Sequence, residues 1–502
     1  MRIGDAVAAM DIWELNIPAN ESDESLSAMK SALSTLARHQ GGAASLWGSP
    51  GPFAQLPDAR EIVKAADHGP DLHRSGFLFL LSGEGELPTS GSIAGFSTIE
   101  DYLFGLLWEA CRSPTPVVHL ENVGKTIRQF GSSYFGDQDS GGWSYSLPLL
   151  ASQQFRSALS FLVQAGGATG LLQATHTGML LSDFGVTLEN LGDSAHHASG
   201  SLVTSLLVDY SAMVHSIPSC GALCALEYLL WITNKSQMMN EVVALILRSN
   251  DINLLSGTLS SDGRRCKGKL DQFFSEREVN QLLKEAAEMR LKDPAIDRHK
   301  KAAAGVLFML AGDFRSVVSL LSRLMAPDSN APTNEEKLFW RTQTENFYSS
   351  YLAKRTHVYE VLEKNGDLDV VTTCRALMEL SDFFACFSRG DVDAAFAILD
   401  RLDILPKSLS DISSKALSYS SLDPLLQQAI PSVLLRAMQL LFQEHNLLKR
   451  DMHSGDSGAT IMSALQGFEE RARVLVSFSG IVAVPQNIAE LLNSLEATIS
   501  TL

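Results

Sequence analysis

Apolar residues recur every three to four positions along most of this chain, the spacing of a helix face turned toward a core. The stretch from Leu307 to Leu321, Leu-Phe-Met-Leu-Ala-Gly-Asp-Phe-Arg-Ser-Val-Val-Ser-Leu-Leu, shows the pattern with its punctuation. It reads as two helices joined by a tight turn. Gly312 supplies the left-handed residue that closes the first helix. Asp313 is placed to cap the second by accepting hydrogen bonds from its free N–H groups. Phe314 is predicted to pack back across the corner, and Val317, Leu320 and Leu321 to continue the buried stripe.

The same grammar recurs elsewhere. A Gly-Asp pair, an apolar residue two after the glycine and a small or branched apolar residue five after it occur at Gly4-Asp5, Gly366-Asp367 and Gly390-Asp391. A form without the glycine surrounds Gln153-Gln154-Phe155, whereas the Gly-Asp pairs at Gly136, Gly192 and Gly455 do not fit. The irregular spacing predicts a degenerate array of roughly 20–25 helices, at about 35–45 residues per pair, rather than a strict short repeat. Period-2 alternation is missing almost everywhere, and no alternation of strand and helix suggests a parallel sheet. The predicted class is all-α: a single irregular helical-hairpin α-solenoid over residues 1–502, with loose Gly-, Pro- and polar-rich loops near 41–57, 83–95 and 451–459. Val433 to Leu448 carries apolar residues around much of its circumference and is expected to be a central helix. Pro431 is expected to kink or break the helix ahead of it.

Composition narrows the functional classes. At 45% hydrophobic, 502 residues bury a substantial core, which excludes wholesale disorder. A net charge of −17 repels phosphate backbones and anionic lipid, which argues against direct nucleic-acid or membrane-surface binding by the whole body. The nearest approach to a basic cluster is Arg264-Arg265-Cys266-Lys267-Gly268-Lys269. Six cysteines make no disulfide framework. Cys220 and Cys224 read as buried thiols of a reducing compartment, since no second pair lies at a metal-binding distance. Neither a secretory signal nor the run of ~18 apolar residues of a membrane span is visible, so the expectation is a soluble, intracellular protein.

Motifs that carry chemistry are scarce. No Walker loop, dinucleotide fingerprint, His-Glu-x-x-His or paired Cys-x-x-Cys occurs. Gly455-Asp456-Ser457-Gly458 spells the tetrapeptide around a protease serine, but it lies in a loop-like stretch with no base or acid to complete the mechanism. His196-His197 are adjacent and so point to different faces of a helix. Arg389-Gly390-Asp391 is accounted for by the hairpin grammar. No catalytic, cofactor-binding or metal-ligating residue is assigned, and no enzyme activity is expected.

Several blocks taken together resemble one family. The most specific are Gly390 to Leu402, Leu405-Pro406, and Pro431-Ser432-Val433-Leu434-Leu435-Arg436-Ala437-Met438. Asp251 to Gly257 leading to Asp262-Gly263, Gln129 to Phe135 leading to Gln153-Gln154-Phe155, Glu100-Asp101-Tyr102-Leu103, and Arg471 to Gly480 are similar too. In order and spacing the chain resembles the inner-ring scaffold nucleoporins, the nucleoporin-interacting-component family of nucleoporin ninety-three and its relatives. Residues 183–240 match poorly. The resemblance implies a folded-back α-solenoid of the nuclear pore complex at the nuclear envelope, with linker nucleoporins and large inner-ring scaffold nucleoporins as partners. It implies no cofactor. The family's N-terminal channel-binding segment finds no counterpart, and residue 1 aligns inside the solenoid. The expectation is a truncated reading frame, so the channel-nucleoporin partnership is not carried over. A helical adaptor of a vesicle coat or other large assembly is the alternative reading, because hairpin physics is shared without shared sequence.

Overall fold

The computed structural model describes residues 99–112, 115–136, 141–186, 188, 200–218, 221–249, 252–293, 297–326, 334–452, 458–482 and 484–501, with isolated positions 10, 11, 14, 30, 31 and 34. The expected corner at Gly4-Asp5 and the loops near 41–57 and 83–95 lie outside these residues, as do 453–457 of the loop expected at 451–459. The chain divides into two compact units, Met1–Glu241 and Val242–Leu502.

The first unit contains α1 (Ile99–Arg112), α2 (Pro116–Phe130), α3 (Trp143–Ala151), α4 (Phe155–Asp183), α5 (Gly200–His215) and α6 (Gly221–Leu229). Each packs on the next in sequence, as in a helical stack. Pro116 begins α2, where its missing N–H costs nothing. The corner between α3 and α4 is built without glycine. Gln153 takes a positive φ of 59°, Gln154 N–H reaches back to the Leu149 carbonyl at 2.8 Å, and the Ser152 hydroxyl donates to the Pro148 carbonyl at 2.9 Å. Gln154 is buried there, so close under α2 that a Cβ on Gly124 would stand 2.5 Å from its amide nitrogen. Inside α4, Gly167 breaks the helical dihedrals at φ 53°, ψ −127° and kinks the element. Ile127, Leu149, Ala158, Leu159 and Leu162 form the core beneath these helices.

Helix α7 (Lys235–Arg248) leads into the second unit, followed by the short α8 (Ile252–Ser256). Next come α9 (Glu276–Leu291), α10 (Arg298–Leu310), α11 (Phe314–Met325), α12 (Asn334–Phe347), α13 (His357–Asn365), α14 (Leu368–Arg389) and α15 (Val392–Leu402). The last four are α16 (Ile412–Ser421), α17 (Pro424–Met452), α18 (Gly458–Ser479) and α19 (Gln486–Thr501). Helices α9 and α10, α10 and α11, α14 and α15, α17 and α18, and α18 and α19 pack as consecutive neighbours, and α11 also packs on α14, and α14 on α17. The protein is an all-α solenoid of irregular hairpins.

The Gly-Asp corners form as their residues dictate. Gly312, Gly366 and Gly390 all sit at positive φ, 70°, 77° and 74°. Asp313 accepts from Ser316 N–H at 3.1 Å and Asp391 from Ala394 N–H at 3.2 Å. Phe314 is buried and meets the His357 ring edge-on at 6.1 Å. Asp367 departs from the pattern: its carboxylate makes no cap bond and instead pairs with Arg315 of the preceding corner.

Residues between α8 and α9 form a small antiparallel ribbon, β1 (Thr258–Leu259) with β2 (Arg265–Cys266), across the turn at Ser261-Asp262-Gly263. Strands of two residues are too short to show alternation. One expectation is corrected in part: of the kink or break expected at Pro431, the break does not occur, and α17 runs through it. Proline removes one helix hydrogen bond, at ~3 kcal/mol. Burial of Ile430, Val433, Leu434, Ala437, Met438, Leu440 and Leu441, each at most 1% exposed, outweighs that loss. Among the described residues, Pro424–Arg450 of α17 also has the length and mean hydropathy of a membrane span. Over half of its most apolar window is buried inside the fold, the pattern of the central helix the sequence predicts.

Candidate docking surface

Among the described residues, those that suggested chemistry assemble no reactive centre. His196, His197, Cys220 and Gly455-Asp456-Ser457 lie outside the described residues. Cys224 is partly buried on α6, where the sequence predicts a buried thiol. Arg389-Gly390-Asp391 is the α14–α15 corner. Among the described residues no group of three or more His, Cys, Asp or Glu is arranged to hold a metal ion. One polar cluster escaped sequence reasoning. His176 Nδ1 donates to the Leu172 carbonyl at 2.8 Å, which leaves Nε2 to accept from the Tyr228 hydroxyl at 3.0 Å. Tyr210 stacks edge-on against both rings. These groups staple α4, α5 and α6 together. Burial, with the hydrogen bonding and charge of Tyr210 beside it, raises the Tyr228 hydroxyl above its ordinary pKa.

Charges in the second unit align the corners. Lys284 of α9 reaches Asp313 at 2.8 Å, while Arg315 pairs with Asp367 and lies 3.8 Å from Asp369. Burial alone would raise the Asp313 carboxyl, but hydrogen bonds from Lys284 and Ser316 outweigh it and hold the group below the usual carboxylate range. An open polar groove runs beside this corner, lined by Glu276, Asn280, Gln281 and Lys284 of α9 and by Gly312-Asp313.

A smaller cleft gathers residues from distant parts of the sequence. Phe396, Leu399 and Asp400 come from α15, Leu405-Pro406-Lys407 from the following turn, Ala437 from α17, and Arg471 and Leu475 from α18. Its cavity volume is only about 10 Å³, the room one water molecule needs. The Arg471 guanidinium lies over the Phe396 ring, 4.4 Å from its centroid, and bonds Asp400 at 3.1 Å. Lys407 closes the other side, donating to the Asp400 carbonyl at 3.3 Å. The titratable groups lining the cleft are thus paired with one another, around an apolar floor. No nucleophile or base stands free there.

Four of the blocks that carried the family resemblance meet in this cleft, and comparison with known proteins agrees. The sequence model of the Nic96 family, described as Nup93/Nic96, matches residues 93–490. The chain belongs to the Nup93/Nic96 family. It is 24% identical over 416 residues to the nuclear pore complex protein Nup93 of Danio rerio, covering 76% of this chain and 47% of that protein. The Nup93 of Xenopus laevis is 23% identical over 415 residues, with the same coverage. The meiotically up-regulated gene 87 protein of Schizosaccharomyces pombe is 22% identical over 434 residues, 80% of this chain and 50% of that one. The chain therefore spans about half the length of the curated relatives it matches. The crystal structure of Chaetomium thermophilum Nic96 SOL superposes with a TM-score of 0.51 over 93% of this chain and 73% of that one, at 15% identity. It shares the fold. In this Nup93/Nic96 chain, the matched span encloses both the aligned Gly-Asp corners and the α15–α17–α18 cleft.

Proposed function

We propose that the chain is a non-enzymatic structural scaffold of the nuclear pore complex, located at the nuclear envelope. Its role there is to hold other nucleoporins and so to support pore assembly and transport of protein and RNA. The observation that carries this reading is the family match over residues 93–490, which encloses a solenoid whose described residues assemble no reactive centre. Linker nucleoporins and large inner-ring scaffold nucleoporins are the proposed partners, reached through exposed hairpin faces. The net charge of −17 supports protein partners over nucleic acid. A vesicle-coat adaptor would use the same hairpins, but the ordered blocks favour the pore. Affinity capture of the tagged chain from nuclear envelopes, followed by mass spectrometry, separates the two. Inner-ring nucleoporins are expected; coat subunits in their place would refute the assignment.

A further inference from the structure

Helix α16 is held differently from its neighbours. It packs on α18 and buries one side chain, Ile412, while Leu417 is 74% exposed. Serines make up half of its sequence, Ile-Ser-Ser-Lys-Ala-Leu-Ser-Tyr-Ser-Ser. Their hydroxyls turn back on the helix's own carbonyls: Ser414 to Asp411 at 2.8 Å, Ser418 to Ser414 at 3.0 Å, Ser420 to Leu417 at 2.7 Å and Ser421 to Ser418 at 2.8 Å. Such bonds compete with the backbone ladder and weaken a helix. The C-terminal end depends on a neighbour. The Gln427 side-chain amide, from the first turns of α17, donates to the Tyr419 carbonyl at 3.1 Å and to the Leu422 carbonyl at 2.9 Å. Leu422 itself is extended, at φ −70° and ψ 154°. Lys415 adds a tether to the end of α15, pairing with the Asp403 carboxylate at 2.6 Å and donating to its carbonyl at 2.7 Å; with one buried side chain and a borrowed cap, the helix still lies at the low-stability end of the fold and opens locally.

We propose that Ser420 is a phosphorylation site for an acid-directed serine kinase, and that phosphate there releases α16 from α18. Ser420-Ser421-Leu422-Asp423 places an exposed serine three residues before a carboxylate, the spacing that a kinase with a basic substrate groove reads. Asp423 sits on the extended side of the junction, accepting from Leu425 N–H at 2.8 Å, so fraying of one helical turn presents serine and acid together. In the transfer, Ser420 Oγ bonds the γ-phosphorus of the kinase-bound nucleoside triphosphate. The bond from that phosphorus to the β-bridging oxygen breaks, the nucleoside diphosphate leaves, and the hydroxyl proton passes to the kinase's base.

The charge then acts at the wrong end of a helix. A phosphate dianion in the last turn of α16 opposes the helix dipole and stands near the Asp423 carboxylate. It also offers the Gln427 amide a stronger acceptor than the carbonyls that amide now caps. Ser408-Leu409-Ser410-Asp411 has the same serine-to-acid spacing at the other end. Ser408, however, is half-buried and shares a 2.7 Å hydroxyl–hydroxyl bond with Ser410, and a phosphate ahead of α16 would favour the helix.

The test is to treat the full chain with a purified acid-directed serine kinase and Mg·ATP, map phosphate by mass spectrometry, and follow amide exchange. Phosphate is expected chiefly on Ser420. Asp423→Asn, which keeps the cap to Leu425 but removes the charge, should cut incorporation there about tenfold or more. Modification should speed exchange across 412–421 by about tenfold or more while residues 433–441 of α17 stay protected. Ser420→Ala should abolish both effects. Preferential labelling of Ser408, an undiminished rate in Asp423→Asn, or unchanged exchange across 412–421 would each overturn the proposal.

Discussion

Arg265 and Asp271 face one another as a two-pronged ion pair, Nη2 to Oδ1 at 2.7 Å and Nη1 to Oδ2 at 3.0 Å, with side chains 11% and 6% exposed. The pair also ties in the Ser256 carbonyl, 3.1 Å from Arg265, and the Gly268 N–H, 2.8 Å from Asp271. It locks the ribbon between α8 and α9. Removing one partner strands a buried charge, which costs about 3–5 kcal/mol. Asp271→Ala should therefore lower stability by about that amount in urea titration, and the double substitution Arg265→Met/Asp271→Leu should cost much less. Equal losses in the two variants would show that the charges contribute little.

Gly263 and Gly312 both lie at positive φ, but in different surroundings. A Cβ on Gly263 would stand 2.3 Å from Val358 Cγ2, whereas one on Gly312 meets nothing within 4 Å. Gly312→Ala is expected to cost about 1–2 kcal/mol, from backbone strain alone. Gly263→Ala adds overpacking of about 1–3 kcal/mol and should be partly rescued by Val358→Ala. Denaturation midpoints of the three variants check the order.

Phe314→Ala should cost about 3–5 kcal/mol, because the ring fills the α10–α11 corner and is 4% exposed. A change within ~0.5 kcal/mol, the size expected at an exposed site, would show that the corner is misassigned.

His445 of α17 is 2% exposed and its Nδ1 finds no hydrogen-bond partner. Burial first, and then the Lys449 charge, hold it below the ordinary histidine value of 6.5, against the pull of Glu469. Below about pH 6.5 the unfolded chain takes up a proton that the folded chain resists. Stability should thus fall as pH drops below about 6.5 and gain nothing from this group above it. Comparing urea midpoints at about pH 7.5 and pH 5.5, His445→Gln should lose less stability on acidification than the unsubstituted chain. An identical loss would remove His445 from the account.

Local grammar was readable from residues alone. Gly312-Asp313 and Gly390-Asp391 turn and cap as their side chains require, and the Gln153-Gln154-Phe155 corner forms where the pattern placed it. What was hidden depends on partners far along the chain. Asp367 gives up a cap for Arg315, 52 positions away, and His176 finds Tyr228 across the same separation. Pro431 does not break α17 because helix propensity is local, whereas the burial that overrides it is tertiary. The cleft residues Phe396, Pro406 and Arg471 stood inside separate blocks of family resemblance, but their convergence became visible only in three dimensions.

The central claim is that these stacked hairpins serve the nuclear pore. Imaging a fluorescently tagged chain, expressed from its own locus, tests it most directly. A punctate nuclear rim coincident with pores is expected; diffuse cytosolic signal, or puncta on transport vesicles, would contradict a role at the pore.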